Sequence, residues 1–125
     1  MLAKELEIFG KNGTVRDYIY VTDIATGIIA ILDFGIIGEA YNIGTGIGKS
    51  NLDIVEELKI YANQNNIEVL LRFNEERKFD VKRNILNYSK INEISGWKNK
   101  IDIESGLKMT WDCNFKLQQN ETIFI

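Results

Sequence analysis

The sequence predicts a small mixed α/β domain with short strands and about four helices. Three observations carry that expectation. Strand-like and helix-like segments alternate from one end to the other, which favours layered α/β packing. Hydrophobic residues make up 45% and charged residues 26% of the chain, a balance that supports a packed core and excludes collagen-like or disordered character. A length of 125 residues allows one core and little more.

Taken in order, Leu6-Glu7-Ile8-Phe9 alternates in polarity, Gly10 to Gly13 punctuates, and Tyr18-Ile19-Tyr20-Val21 is aromatic and β-branched, so the opening reads as a loose hairpin. Thr22 and Asp23 are good N-cap residues for a helix running from Ile24 to Phe34 and stopping near Gly35. That helix is apolar almost all round, with only Thr26 and Asp33 polar, so it calls for burial on more than one side. Glu39 to Ile43 reads as a short strand and Gly44 to Lys49 as a glycine-rich turn. Ser50 and Asp53 resemble a capping box opening a helix whose stripe of Leu52, Ile54, Val55, Leu58 and Tyr61 extends to about Asn63. Ile67 to Phe73 has strand character, and the charged stretch from Asn74 to Asn84 reads as an exposed loop. Ser89 is expected to cap a short helix stopping at Gly96, and a last amphipathic helix covers Ile103 to about Phe115. The domain is thus expected over residues 1–115, with a frayed tail over 116–125 in which Ile123-Phe124-Ile125 could dock.

Charge and composition narrow the function. With 15 basic and 18 acidic residues, net −3, and no basic run, nucleic acid is not an expected partner. No apolar run approaches the length of a membrane span, and charges near the start argue against a signal peptide; a cytoplasmic protein is expected. The single cysteine, Cys113, and the absence of histidine leave no expected metal site and no internal disulfide. Without histidine the usual general base near neutral pH is missing, which weighs against a self-contained enzyme. The chain also has no proline, read here as compositional bias.

The run Gly44-Thr45-Gly46-Ile47-Gly48-Lys49-Ser50 invites a phosphate-loop reading. Its spacing fits neither a Walker A loop, because Ile43 stands where the first glycine belongs, nor the G-x-G-x-x-G fingerprint. It reads as a strand-to-helix turn with a serine cap. Arg16 and Arg77, on separate loops, could form a two-forked clamp on a diphosphate, although on spacing alone solvated surface arginines are the simpler reading. Trp97 and Trp111 are expected core anchors, and Cys113 a small buried hydrophobe.

Read together, Arg16-Asp17-Tyr18-Ile19-Tyr20-Val21-Thr22-Asp23-Ile24-Ala25 resembles the "RDYIHVxDLA" motif of the extended short-chain dehydrogenases, the NAD-dependent sugar-nucleotide epimerases and dehydratases. Further matches follow in register. Tyr41-Asn42-Ile43-Gly44-Thr45-Gly46 is similar to "YNIGTG", Arg77-Lys78-Phe79-Asp80 to "RPGD", Ser89-Lys90 with Gly96-Trp97 to "SKA...LGW", and Ile103 to Thr110 to "LEEGLRKT". The resemblance reaches only the C-terminal part of that family.

That resemblance implies a substrate-binding lobe lacking the Rossmann half, with NAD held by a domain outside this chain and no cofactor on the chain itself. Tyr-x-x-x-Lys, the family's proton-transfer pair, is absent, since none of Tyr18, Tyr20, Tyr41, Tyr61 and Tyr88 has lysine four residues on; no catalytic residue is expected here. By resemblance, Arg16 and Arg77 hold the pyrophosphate of a UDP- or dTDP-linked sugar, Asp80 lies near the ribose hydroxyls, Phe9 lines the base pocket, and Leu6 and Glu7 border it. Lys78-Phe79 replaces the family's Pro-Gly, which removes its preset turn. The apolar helix is expected to face a missing NAD-binding domain or subunit, so that the chain either forms a homodimer or exposes a patch along Ile24, Ile28, Ile31 and Leu32. A non-catalytic association module is the alternative.

Overall fold

The computed structural model describes residues 2–121. Its first strand, β1 (Leu2–Phe9), does not turn back in a hairpin. It runs parallel to β4 (Ile67–Asn74), in register from Leu2 opposite Ile67 to Phe9 opposite Asn74. Gly10 N–H extends the pairing by donating to Asn74 O at 3.0 Å. The chain then leaves through Gly10 and Gly13, both at positive φ, a conformation glycine adopts at no steric cost. The expected partner, Tyr18–Tyr20, lies outside the ladders. Its aromatic rings are half-buried in tertiary contacts, and a methyl group built on Gly106 would sit 3.2 Å from the Tyr20 ring. Apolar β-branched composition signals burial, and here burial is achieved without strand pairing.

A second, three-stranded sheet is built from pieces too short to show a period. β2 (Val15–Asp17) is its centre, antiparallel to β3 (Gly48–Ser50) and parallel to β5 (Arg83–Asn84). The expected strand at Glu39 to Ile43 is irregular, whereas β3 falls inside the glycine-rich turn and β5 inside the expected loop.

Helix α1 (Val21–Phe34) starts a turn earlier than the cap residues suggest: Tyr20 is its N-cap and makes no side-chain cap bond. Asp23 has a different task. It is buried in the first turn, and its carboxylate accepts from the amides of Lys100 and Ile101, both at 2.9 Å. Helix α2 (Asn51–Gln64) carries the expected capping box, Asp53 N–H donating to Ser50 Oγ at 3.1 Å and Ser50 N–H to the Asp53 carboxylate at 2.8 Å. Helix α3 (Ser89–Ser95) ends at left-handed Gly96 as expected. Ser89 is its first residue rather than its cap, and Asn87 Oδ1 accepts from both the Ser89 amide and hydroxyl. Helix α4 (Ile103–Glu121) continues past Phe115 into the stretch expected to fray; Ile123-Phe124-Ile125 lies outside the described residues.

Two small clusters hold the layers. Ile8 and Ala62 are buried where α2 covers the parallel pair, with the Tyr61 and Trp111 rings 6.1 Å apart between α2 and α4. Ile91 and Trp97 are buried where α3 meets α1, with Tyr88 set edge-on to Trp97 at 5.9 Å. Close approach there depends on Gly27, whose added methyl would lie 2.9 Å from Ile43 and 3.2 Å from Trp97. Trp97 is thus the core anchor expected, and Trp111 is half-buried. Cys113, expected to be buried, is exposed on α4. Among the described residues no helix is long and apolar enough to cross a membrane.

Candidate functional site

Segments distant in sequence converge where β1 ends. Alternation along β1 places Glu7 and Phe9 on one face and Leu6 and Ile8 on the other. The turn following β4 supplies Arg77 and Asp80, held by a hydrogen bond from Asp80 N–H to Arg77 O at 3.2 Å. Gly13 and Thr14 approach the first residue of α2, and Thr14 donates from both its amide (2.7 Å) and its hydroxyl (2.9 Å) to Asn51 Oδ1. A methyl group on Gly13 would lie 2.6 Å from Asn51, so glycine is required both for the positive φ and for this approach.

These segments enclose a cavity of about 190 Å³ lined by Glu7, Ile8, Phe9, Gly13, Thr14, Asn51, Arg77 and Asp80. An adjoining depression of about 230 Å³ shares Phe9, Thr14 and Asp80 and adds Lys11, Glu76 and Lys82. Of the six residues singled out from the sequence, Phe9, Arg77, Asp80 and Glu7 therefore share one cavity. The Arg77 guanidinium lies over the Phe9 ring, 3.5 Å from its centroid. Glu7 reaches outward to Arg72 at 3.7 Å.

Arg16 and Leu6 line neither depression. Arg16 is nonetheless tied to the same turn, because its Nη1 donates to Val15 O and to Val81 O, both at 2.7 Å. One nitrogen of its fork thus fastens β2 to the residue after Asp80. Leu6 is 40% exposed. Thr14 and Asn51 were not singled out as cavity residues from the sequence; a residue at the first helical position after a serine cap reads as solvated surface, and here the approach of Gly13 and the hydrogen bonds with Thr14 bring it to the cavity.

The glycine run behaves as a structural turn. The Asp17 carboxylate accepts from Thr45 N–H (2.9 and 3.1 Å), Thr45 Oγ1 (2.6 Å), Gly46 N–H (2.9 Å) and Leu86 N–H (3.2 Å). The amides of Thr45 and Gly46 thus serve this carboxylate. A further depression of about 320 Å³, bordered by Tyr18, Thr45, Lys49, Lys100, Asp102 and Glu104, has charges that cancel. Among the described residues no group of three His, Cys, Asp or Glu could hold a metal ion.

Known proteins share this sequence pattern and fold. Residues 1–110 match the GDP-mannose 4,6 dehydratase family. The trifunctional UDP-glucose 4,6-dehydratase/UDP-4-keto-6-deoxy-D-glucose 3,5-epimerase/UDP-4-keto-L-rhamnose-reductase of Arabidopsis thaliana is 33% identical over 113 residues, covering 90% of this chain and 16% of that protein. The dTDP-glucose 4,6-dehydratase 1 of Escherichia coli K12 is 30% identical over 112 residues, covering 86% and 31%. Among solved structures, the UDP-glucose 4-epimerase of Thermotoga maritima with UDP-glucose superposes with a TM-score of 0.79 at 35% identity, covering 92% of this chain and 36% of that one. The chain thus spans a third or less of these curated relatives. On the match over residues 1–110 and the shared fold, it belongs to the GDP-mannose 4,6 dehydratase family, among the NAD-dependent sugar-nucleotide epimerases and dehydratases.

Proposed function

We propose that this chain is the C-terminal substrate-binding domain of an NAD-dependent nucleotide-sugar epimerase or dehydratase, holding and orienting a UDP- or dTDP-linked sugar without catalysing its reaction alone. The observation that carries the reading is the convergence of Phe9, Arg77 and Asp80 on one cavity. A flat apolar ring suits a base, a guanidinium fork suits phosphate oxygens, and a carboxylate suits the two hydroxyls of a ribose. Arg16, though outside the cavity, supports the same ligand, since beside the nitrogen that holds Val15 O and Val81 O its fork retains N–H donors. The relative solved with UDP-glucose has this fold. NAD belongs, in this reading, to the portion of the longer relatives that this chain does not span.

Titration of the chain with UDP and with dTDP, followed by amide NMR, tests it. The amide signals of Phe9, Arg77 and Asp80 are expected to shift, and Arg77→Ala to weaken binding at least tenfold, the loss of a charge-assisted pair. Arg16→Ala is expected to weaken binding as well and also to loosen the turn at Val81. Absence of any shift at millimolar nucleotide would overturn the assignment.

A second reading, an association module that completes a separate NAD-binding subunit or pairs with itself, is favoured by one observation: Val21, Ile28, Ile29 and Leu32 of α1 are exposed. The two readings are compatible, because the cavity at the end of β1 and the exposed residues of α1 are separate surfaces.

A further inference from the structure

One face of the Phe9 ring, which lines the cavity, is covered by Arg77. The guanidinium lies 3.5 Å from the ring centroid, and nothing encloses it, for Arg77 is exposed whereas Phe9 is half-buried. Of the carboxylates around it, Glu76 pairs with Lys82 at 3.0 Å and Glu7 with Arg72 at 3.7 Å, while Asp80, which lines the same cavity, forms no ion pair with Arg77 within 4 Å. Attraction to the ring's negative face is therefore the main restraint on the cation, and at an exposed site it corresponds to about a two- to fivefold preference for the stacked position. The main chain beneath Arg77 is firmer, pinned by the Asp80–Arg77 turn and by Arg16 on Val81 O. Only the side chain has to move to bare the ring.

We infer that Arg77 is a specificity-determining residue that shields the Phe9 face from ligands carrying a base without phosphates and releases it to a nucleoside diphosphate. This deepens the function proposed above and rests on it. Diphosphate oxygens offer the guanidinium charge-assisted, two-pronged hydrogen bonds that outweigh the ring contact, so one ligand supplies both the group that draws Arg77 away and the group that takes its place. A nucleoside must displace the cation and gives it nothing in return.

Binding of uridine and UDP to the full chain, measured for the unsubstituted protein, Arg77→Ala and Arg77→Lys, tests the inference. In Arg77→Ala, uridine is expected to bind about threefold more tightly, the ring contact being abolished, while UDP binds at least tenfold more weakly. Arg77→Lys keeps the charge but not the planar fork and is expected to fall between the two for UDP. Uridine affinity that is unchanged or reduced in Arg77→Ala, with UDP still bound by the unsubstituted chain, overturns the shielding role alone and leaves the nucleotide site standing. Failure of the unsubstituted chain to bind UDP overturns both.

Discussion

At the scale of single residues, two buried or half-buried aspartates hold together what the sequence separates. Asp23 ties the first turn of α1 to Lys100 and Ile101. Asp17 gathers the glycine turn and the residue after Ile85 onto the central strand, next to Arg16. A carboxylate suits this work because both oxygens accept, and amides aimed at an anion form stronger bonds than amides aimed at a carbonyl. Asp17→Ala would leave the amides of Thr45, Gly46 and Leu86 without their acceptor. A cost of about 3 kcal/mol is expected from the deprived donors, read as a Tm lower by about 10 °C in thermal denaturation. Asp17→Asn keeps the shape but offers a single accepting oxygen, and is expected to lose about half as much. Equal stability of the Ala variant and the parent would show that these bonds contribute nothing net.

At the scale of elements, the start of α2 shows how local chemistry fixes a boundary. Ser50 is buried and its hydroxyl satisfies the Asp53 amide, so Ser50→Ala is expected to cost about 1 kcal/mol. Hydrogen bonds from the Ser50 amide, and next from its hydroxyl, hold the Asp53 carboxyl below its ordinary range. Asp102 is lowered in the same way by Ser105, at the start of α4. A carboxyl whose folded pKa is depressed contributes stability above its unfolded value, near 4, and loses it as pH falls through the folded value. The parent is therefore expected to lose Tm between pH 5 and pH 2, and Asp53→Asn to lose less over the same interval, as thermal melts at stepped pH would register. These boundaries were legible because their signals sit within four residues of one another: Ser50 with Asp53, Gly35 after Phe34, Gly96 after Ser95. Strand partners were not legible. β1 pairs with a strand nearly sixty residues away in parallel, while β2, β3 and β5 have two or three residues each, too few for a period to show. The site divides along the same line. Of the residues lining the candidate cavity, Phe9, Arg77 and Asp80 were singled out through motif resemblance, whereas Thr14 and Asn51 line it through a glycine contact between segments far apart.

At the scale of the whole molecule, the outstanding feature is the face of α1 turned away from Trp97. Val21, Ile28, Ile29 and Leu32 lie on it at helical spacing, and Leu32 is 79% exposed. Ile28 and Leu32 match the patch expected from the sequence, while Ile24 and Ile31 are half-buried and Val21 and Ile29 take their place on the stripe. The two sides of the helix differ: Gly27 and its neighbours seat against Ile43 and Trp97, and the other side is exposed. Isolated exposed apolar residues are ordinary, but a contiguous stripe marks an interaction face. Self-association through this stripe is the outcome expected of the chain on its own. Sedimentation at rising concentration should show a dimer, or else a hydrophobic dye should bind at low concentration, where the stripe is uncovered. Ile28→Lys with Leu32→Lys should abolish both signals and leave the unfolding free energy of the monomer within about 0.5 kcal/mol of the parent, as expected for surface positions. A monomer at every concentration that ignores the dye would mean the stripe is merely solvated, and the association reading would fall while the nucleotide cavity at the end of β1 stood unaffected.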